Sequence, residues 1–176
     1  MIKCSVQKED MLTVGGKTLA ALMLTLIGAL LPLSAFSEGA NGQKTLLKVY
    51  KSPTCGCCTG WINHLEKSGF RVVHRHPKDL EATKRHLGID PRYSSCHTAV
   101  SEDGYVFEGH IPAKAIKRFL EEKPAKAVGL AVPGMPVGSP GMEVGKRFTS
   151  YKVLLLKDNG GSETYESFDN IEKQYN

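Results

Sequence analysis

Three of the five cysteines in the chain lie within four consecutive positions, as Cys55, Cys57 and Cys58. A short apolar run, 46–50, precedes them, and apolar residues at helical spacing follow from Trp61. The sequence therefore predicts a strand that leads into a cysteine loop at the N-terminus of a helix. Unpaired backbone N–H groups and the helix dipole favour thiolate there, which is the nucleophilic and metal-binding form of cysteine.

The spacing of these cysteines permits either redox or metal chemistry. Cys55 and Cys58 have the C-x-x-C spacing of a dithiol, in which Cys55 would attack and Cys58 would resolve a mixed disulfide. Cys57 has no role in such a pair, and a bridge between adjacent Cys57 and Cys58 would be strained. Crowded thiolates repel one another unless a cation neutralises them, and thiolates select Cu(I), zinc or iron–sulfur clusters. The cluster favours a metal site, with disulfides in an oxidising compartment as the structural alternative.

The predicted elements follow the order strand, helix, strand, helix, hairpin, helix. The short link after the first helix predicts that the first two strands are parallel, and Asp103-Gly104 predicts a tight turn within the hairpin. This order is typical of an α/β thioredoxin-like fold. The predicted segments are 46–51, 57–68, 70–74, 78–87, 96–101 with 105–108, and a helix from Pro112.

Cys96 is the candidate for a fourth sulfur. In a thioredoxin-like fold the loop before the third strand lies against the cysteine loop, and Cys96 begins that strand, 38 positions after Cys58. We therefore expect four thiolates to converge. Such a set could hold one tetrahedral ion, or several Cu(I) ions that share bridging sulfurs.

A Gly/Pro-rich segment, 124–149, is predicted to be a long loop of functional or disordered character. It contains a short repeat, 133–138 and 140–145, and each copy presents one methionine, Met135 or Met142. A thioether is a soft, neutral ligand that suits Cu(I), so both are candidate metal ligands. The simpler alternative is that they are apolar residues that anchor the loop.

The chain is predicted to begin with a secretory signal peptide, 1–37. Its lysines precede an uncharged apolar core, and small Ala35 and Ser37 precede the predicted cleavage site. This predicts export of the mature protein. An uncleaved membrane anchor over 18–36 is the alternative, because that stretch carries no charge.

The remainder is predicted to be one folded domain. We expect a flexible lead-in, 38–45, the metal-binding domain, 46–170, and a frayed tail, 171–176. Two β-rich runs near the end of the domain, 151–156 and 163–168, predict an extra C-terminal β-hairpin.

The charge pattern argues against a nucleic-acid partner. The net charge of +5 is spread along the chain without the basic block that nucleic-acid binding requires.

Three functions fit the cysteines: Cu(I) sequestration or relay, thiol–disulfide exchange through Cys55 and Cys58, and a structural zinc module. A core that is large enough without a metal weakens the zinc alternative.

Longer motifs in the chain resemble the CopG-like family of secreted bacterial proteins, which was long classed as a domain of unknown function. The resemblance covers roughly residues 46–168. It implies a thioredoxin-like fold and a copper–thiolate cluster on Cys55, Cys57, Cys58 and Cys96. It also implies a role in periplasmic copper resistance or homeostasis. A redox change of the copper and other copper-handling proteins as partners are further implications. The matching motifs are Cys55-Gly56-Cys57-Cys58 with Trp61, Ser95-Cys96-His97-Thr98-Ala99, Glu108-Gly109-His110-Ile111-Pro112, Gly129-Leu130-Ala131-Val132-Pro133-Gly134-Met135-Pro136 and Ser139-Pro140-Gly141-Met142-Glu143.

Two histidines lie inside these motifs. His97 follows Cys96 directly, and His110 follows the predicted hairpin. Each could be an outer-shell hydrogen-bond donor to the cluster or an additional ligand. Each could equally be a packed or solvent-facing imidazole, so they stand as secondary candidates for the metal site.

Overall fold

The computed structural model describes residues 44–175. The predicted signal peptide, its membrane-anchor alternative and most of the lead-in lie outside these residues and stay predictions. Within the described part, no helix combines the length and the apolar character that crossing a membrane requires.

The described residues form a mixed α/β structure around a single sheet of seven strands. The strand order is β2-β1-β3-β4-β5-β6-β7. The elements are β1 Leu46–Lys51, α1 Gly56–Lys67, β2 Arg71–Arg75, α2 Leu80–His86, β3 His97–Ser101, β4 Val106–Glu108, α3 Ala113–Glu122, β5 Ala127–Ala131, β6 Tyr151–Lys157 and β7 Ser162–Phe168.

The predicted α/β class and the main strand pairings are confirmed. β1 and β2 are parallel neighbours, with Leu47 opposite Val72. β3 and β4 form the predicted antiparallel hairpin, and β6 and β7 form the C-terminal one. The finer assignment to the thioredoxin-like fold stays a prediction.

The prediction of a loop over the whole of 124–149 is wrong in its first part. Ala127–Ala131 forms β5, which pairs parallel with β4 and antiparallel with β6. Gly129 explains why the composition was misleading, because a Cβ there would lie 1.8 Å from the Val106 carbonyl oxygen. The glycine permits a close strand approach, and β5 joins the C-terminal hairpin to the sheet.

The sheet separates two groups of buried apolar residues. Alternate residues of a strand point to opposite faces. Phe107 and Leu130 pack in the larger core with residues of α1 and α3, whereas Val106 and Ala131 pack with Ile89 on the other side. The cysteine loop therefore lies at the start of α1, which packs against the larger core.

The segment predicted as a frayed tail is partly ordered. Residues 172–174 form a short 3-10 helix, and Gln174 is buried. Its amide accepts a hydrogen bond from the Tyr151 hydroxyl at 2.6 Å and donates one to the Gly138 carbonyl at 2.6 Å. These bonds attach the end of the chain to β6 and to the Met-containing segment.

Candidate functional site

The C-x-C-C segment begins α1 as predicted. Cys55 is the N-cap residue, and its Sγ accepts a hydrogen bond from the Cys58 backbone N–H at 3.2 Å. Cys55 and Cys58 are joined by a disulfide, with their Cα atoms 5.4 Å apart. The Cys57 Sγ lies 3.5 Å from the Cys55 Sγ and is a free thiol. The loop therefore holds one exchangeable disulfide beside one thiol.

Cys96 approaches this loop from the other side of the site. Its carbonyl lies 3.7 Å from the Cys58 Sγ, across 38 positions of sequence. The sulfur atoms of Cys55, Cys57, Cys58 and Cys96 all lie within 4.8 Å of one another. The structure thus brings together the four sulfurs that the sequence singled out, at a separation that one bound ion or a small cluster could bridge.

His97 and His110 both lie against the Cys96 sulfur. The Cys96 Sγ is 3.2 Å from His97 Nδ1 and 3.1 Å from His110 Nε2. Both rings are fully buried. Cys96 therefore belongs to two potential donor sets, one of four sulfurs and one of a sulfur with two imidazoles.

The tautomer of His110 follows from its second contact. His110 Nδ1 lies 2.8 Å from the Pro140 carbonyl oxygen, which can only accept, so Nδ1 carries the proton. Nε2 then presents its lone pair to Cys96. Burial lowers the pKa of His110 despite the opposing effect of this carbonyl, so the ring is neutral. A histidine that donates one ring N–H to a backbone carbonyl and keeps its other nitrogen unprotonated has the usual arrangement of a metal ligand.

His97 is more deeply enclosed. Burial is the main reason that its pKa lies well below the ordinary value, with further lowering from His110 and Lys84. Its Nε2 is buried without a hydrogen-bond partner among the described residues. The Trp61 ring lies 4.2 Å from the His97 ring, centroid to centroid. The buried Trp61 ring thus covers the His97 side of the site.

The Cys96 thiol is protonated in the absence of a cation. Burial raises the pKa of Cys96 to about 12, and repulsion from Cys57 and a hydrogen bond with it act in the same direction. Binding of a cation must therefore displace this proton, since the thiolate is the metal ligand.

A buried ion pair lies behind Cys96, and the sequence analysis missed it. The side chains of Lys84 on α2 and Glu108 on β4 are 2% and 0% exposed, and Nζ and Oε1 are 2.7 Å apart. Burial raises the pKa of Glu108, whereas Lys84 lowers it. Charged residues on a helix and a hairpin are ordinarily solvated, so the sequence around Lys84 and Glu108 gives no direct sign of an ion pair. The available signal was that Glu108 continues the apolar Val106-Phe107 pair of a central strand.

This pair is hydrogen-bonded to residues on both sides of Cys96. Glu108 Oε1 accepts from the Ser95 N–H at 2.6 Å, and Oε2 accepts from the Thr98 hydroxyl. Lys84 Nζ donates to the Ser95 carbonyl. The position of the Cys96 sulfur is thereby set by two charges that make no contact with it.

The two methionine turns, residues 133–138 and 140–145, contact different segments of the site. The Gly134 N–H donates to the Ser94 carbonyl at 3.2 Å, and the Ser95 hydroxyl donates to the Gly134 carbonyl. Met135 itself is 53% exposed, and Met142 is half-buried. The second turn supplies the Pro140 carbonyl to His110. Thioether ligation stays a prediction.

His64 has a structural contact rather than a place in the site. Its Nε2 accepts the Ala113 backbone N–H at 2.9 Å. It therefore supplies the cap at the start of α3, where Pro112 offers no side-chain hydrogen bond.

Replacing Gly141 with alanine should displace the second turn from α1. A Cβ at Gly141 would lie 2.5 Å from the Cys57 carbonyl oxygen and from the Trp61 nitrogen, at a φ of +85°. We expect a loss of unfolding free energy of about 1–3 kcal/mol from this overlap, besides backbone strain. Denaturant unfolding measures the effect.

Gly134 is the matched control in the first copy of the repeat. It also has a positive φ, of +69°, but a Cβ there would meet nothing within 4 Å. Gly134→Ala should show backbone strain alone. Equal effects of the two substitutions would contradict the close contact between the turn and α1.

Comparison with known proteins agrees with this architecture. The family model described as "Protein of unknown function, DUF411" matches residues 93–142, which include Cys96, both buried histidines and both methionines, Met135 and Met142. No curated protein sequence gives a significant match. Two solved structures, "Copper resistance protein copG- Form 2" and "Copper resistance protein copG- Form 1", are each 42% identical and cover 72% of this chain.

The likeness extends over nearly the whole of the solved chains. The alignments include 99% and 98% of those chains, with TM-scores of 0.68 and 0.67. At this identity and coverage, the chain belongs to the family of the CopG copper resistance proteins, as its motifs had predicted.

Proposed function

We propose that this protein handles copper by binding Cu(I) through Cys55, Cys57, Cys58 and Cys96. The observation that carries the proposal is the convergence of four sulfurs from two distant segments to within 4.8 Å. The names of the two related structures, which are copper resistance proteins, support copper as the metal. Sequestration or relay of the ion needs no covalent catalysis.

The donor set suits Cu(I) by its chemistry. Thiolates are soft ligands that select Cu(I), and the two neutral imidazoles beside Cys96 extend the set. Because Cys96 is shared between the sulfur group and the histidine group, its thiolate could bridge two ions. A multinuclear copper–thiolate cluster with His97 and His110 as additional ligands is therefore the arrangement that we propose. Met135 and Met142 are proposed as weaker, outer thioether donors.

The redox state of the Cys55–Cys58 pair would control the number of ligands. With the disulfide formed, Cys57 and Cys96 are the free thiols among the described cysteines. Reduction of the Cys55–Cys58 disulfide by two electrons and two protons yields two more thiols. In the reverse direction, oxidation of the dithiol to the disulfide releases two protons and two electrons, which would reduce two Cu(II) ions to two Cu(I) ions. This balanced step is the copper redox activity that we propose as an extension.

The proposed location is the periplasm. It is supported by the charged start, apolar core and small-residue exit of the segment 1–37. Membrane attachment through 18–36 remains the alternative. The proposed partners are copper ions and other periplasmic copper-handling proteins.

Anaerobic titration with Cu(I) tests the proposal. The fully reduced protein should retain more than one copper ion per chain, counted by mass, and the protein with the Cys55–Cys58 disulfide should retain fewer. Cys57→Ser should lower the count in the reduced protein. Equal retention by the reduced and disulfide forms, or none by either, would refute Cu(I) binding at these cysteines.

Thiol–disulfide exchange is the second candidate, and the Cys55–Cys58 disulfide at the start of α1 favours it. In this function Cys55 would attack a substrate disulfide as thiolate and Cys58 would resolve the mixed disulfide. Turnover of a disulfide substrate that survives Cys57→Ser and Cys96→Ser, but not Cys55→Ser or Cys58→Ser, would support it. Absence of turnover in the reduced protein would exclude it.

A further inference from the structure

Two exposed histidines lie side by side on the edge strand of the sheet. His74 is in β2, and His76 follows its last residue, Arg75. Their ring centroids are 5.1 Å apart, so the two side chains are neighbours. β2 has a single neighbouring strand, β1, so this pair lies at a margin of the sheet.

The separation of the rings matches shared coordination of one ion. Two imidazoles that bind one ion at about 2.0 Å would have ring centroids about 4.5 Å apart in square-planar geometry and about 5 Å apart in tetrahedral geometry. The rings are also inclined to each other by 53° and do not stack face to face. The pair thus needs little rearrangement to bind a metal ion together.

The hydrogen bonding of His76 prepares one nitrogen for a metal. His76 Nδ1 lies 3.0 Å from the Lys51 carbonyl oxygen, which can only accept, so Nδ1 carries the proton. Nε2 is then left with its lone pair. A backbone carbonyl that fixes the tautomer and orientation of a ring in this way is typical of histidine ligands. Within residues 44–175 the His74 ring makes no hydrogen bond that would compete with a metal.

The charged residue nearest to the two histidines in the sequence is hydrogen-bonded to the backbone. Arg75 separates the two histidines, and strand alternation places it on the opposite face. Its guanidinium Nη1 donates to the His74 carbonyl oxygen at 3.0 Å. The arginine is thus engaged by the backbone and need not lie between the two rings.

We propose that His74 and His76 form a second metal site, for a divalent transition ion, with Cu(II) the most tightly bound. Imidazole suits Cu, Zn and Ni, and Cu(II) has the highest affinity of the divalent first-row ions for such ligands. The site is built from nitrogen donors, in contrast to the soft sulfurs of the cysteine site. It does not depend on the proposed Cu(I) function, because none of the cysteines takes part in it.

The register of the sheet places this pair near the cysteine loop. β1 and β2 are parallel, with Tyr50 opposite Arg75, so both strands end at the same edge of the sheet. Lys51 ends β1, contacts His76, and lies four residues before Cys55. A Cu(II) ion held by the histidines would therefore lie at the edge from which the chain enters the thiol site.

The test is a titration with Cu(II) of protein that retains the Cys55–Cys58 disulfide and has Cys57 and Cys96 alkylated. No thiol of the described residues then remains to bind or reduce the ion. We expect one Cu(II) per chain whose electron paramagnetic resonance spectrum shows coupling to two imidazole nitrogens. His74→Ala and His76→Ala should each weaken binding about 10²-fold, because chelation by the second ring is lost.

His86→Ala is the matched control, since His86 is also exposed but belongs to a different element, the last turn of α2. The His86→Ala protein should bind Cu(II) with the same affinity as the unsubstituted protein. Unchanged affinity in His74→Ala and His76→Ala, or an equal loss in His86→Ala, would overturn the proposal. Either result leaves the Cu(I) titration of the reduced protein untouched, so the two proposals fail separately.

Discussion

Replacing Cys96 with serine should abolish multinuclear copper binding, although three of the four cysteines remain. Its sulfur lies within 4.8 Å of the other three sulfurs and within 3.2 Å of a nitrogen of each buried histidine. Loss of this atom separates the two donor sets. Since removal of an outer-shell partner alone costs about 10–100-fold in metal affinity, loss of this proposed shared ligand should cost more than about 100-fold.

The measurement is competition for Cu(I) against a chelator of known affinity, with the copper count by mass. Met135→Leu/Met142→Leu is the comparison, because it removes two soft atoms of the methionine turns and keeps every cysteine. Its copper count should equal that of the unsubstituted protein, with the affinity lowered less than in Cys96→Ser. Retention of the full copper count by Cys96→Ser would contradict the bridging role of this sulfur.

Replacing Lys84 with methionine should produce the largest loss of stability among the charge substitutions considered. It leaves the Glu108 carboxylate, whose side chain is 0% exposed, without its ion-pair partner. Breaking a buried pair in this way costs about 3–5 kcal/mol of unfolding free energy. Denaturant unfolding of the reduced, metal-free protein measures it.

The deficit of Lys84→Met should depend on pH. Burial already raises the pKa of Glu108 in the folded protein, and Lys84 opposes that rise. Without Lys84 the folded-state pKa rises further above the unfolded value, so folding favours the protonated acid. The loss should therefore be smallest in acid, and it should grow as the pH rises from the ordinary glutamate pKa towards the folded value.

Two further variants separate this effect from general damage. Lys84→Met/Glu108→Gln carries no uncompensated charge and should recover most of the stability. Its copper affinity should be lower than that of the unsubstituted protein, because the Ser95 backbone is less firmly held. Lys123→Met is the exposed control: the Lys123–Asp103 pair has the same 2.7 Å separation but exposed side chains. It should change stability little. An equal loss in Lys123→Met would refute the importance of burial.

The sequence predicted the parts of the site that local patterns encode. Helical spacing after Trp61 and the break at Ser52-Pro53 placed the cysteine loop at the start of α1, where the structure has it. The approach of Cys96 could be anticipated because the order of the elements brings the start of the third strand against that loop. Both inferences needed only periodicity and topology.

The contacts that the sequence could not predict are long-range or depend on close packing. Lys84 and Glu108 pair across 24 positions, and nothing local distinguishes them from solvated charges. β5 was hidden because Gly129 and the neighbouring prolines suggest a loop, whereas the same glycine lets the strand approach Val106. The carbonyls that set the tautomers of His110 and His76 come from residues 30 and 25 positions away.

The most direct test is the structure of the reduced protein loaded anaerobically with Cu(I), with copper located by its anomalous scattering. We expect copper between the Cys96 sulfur and the sulfurs of Cys55, Cys57 and Cys58, with an imidazole nitrogen of His97 or His110 in contact. Copper bound elsewhere, with Cys96 still a thiol hydrogen-bonded to His110, would contradict the assignment of these four cysteines as the copper site.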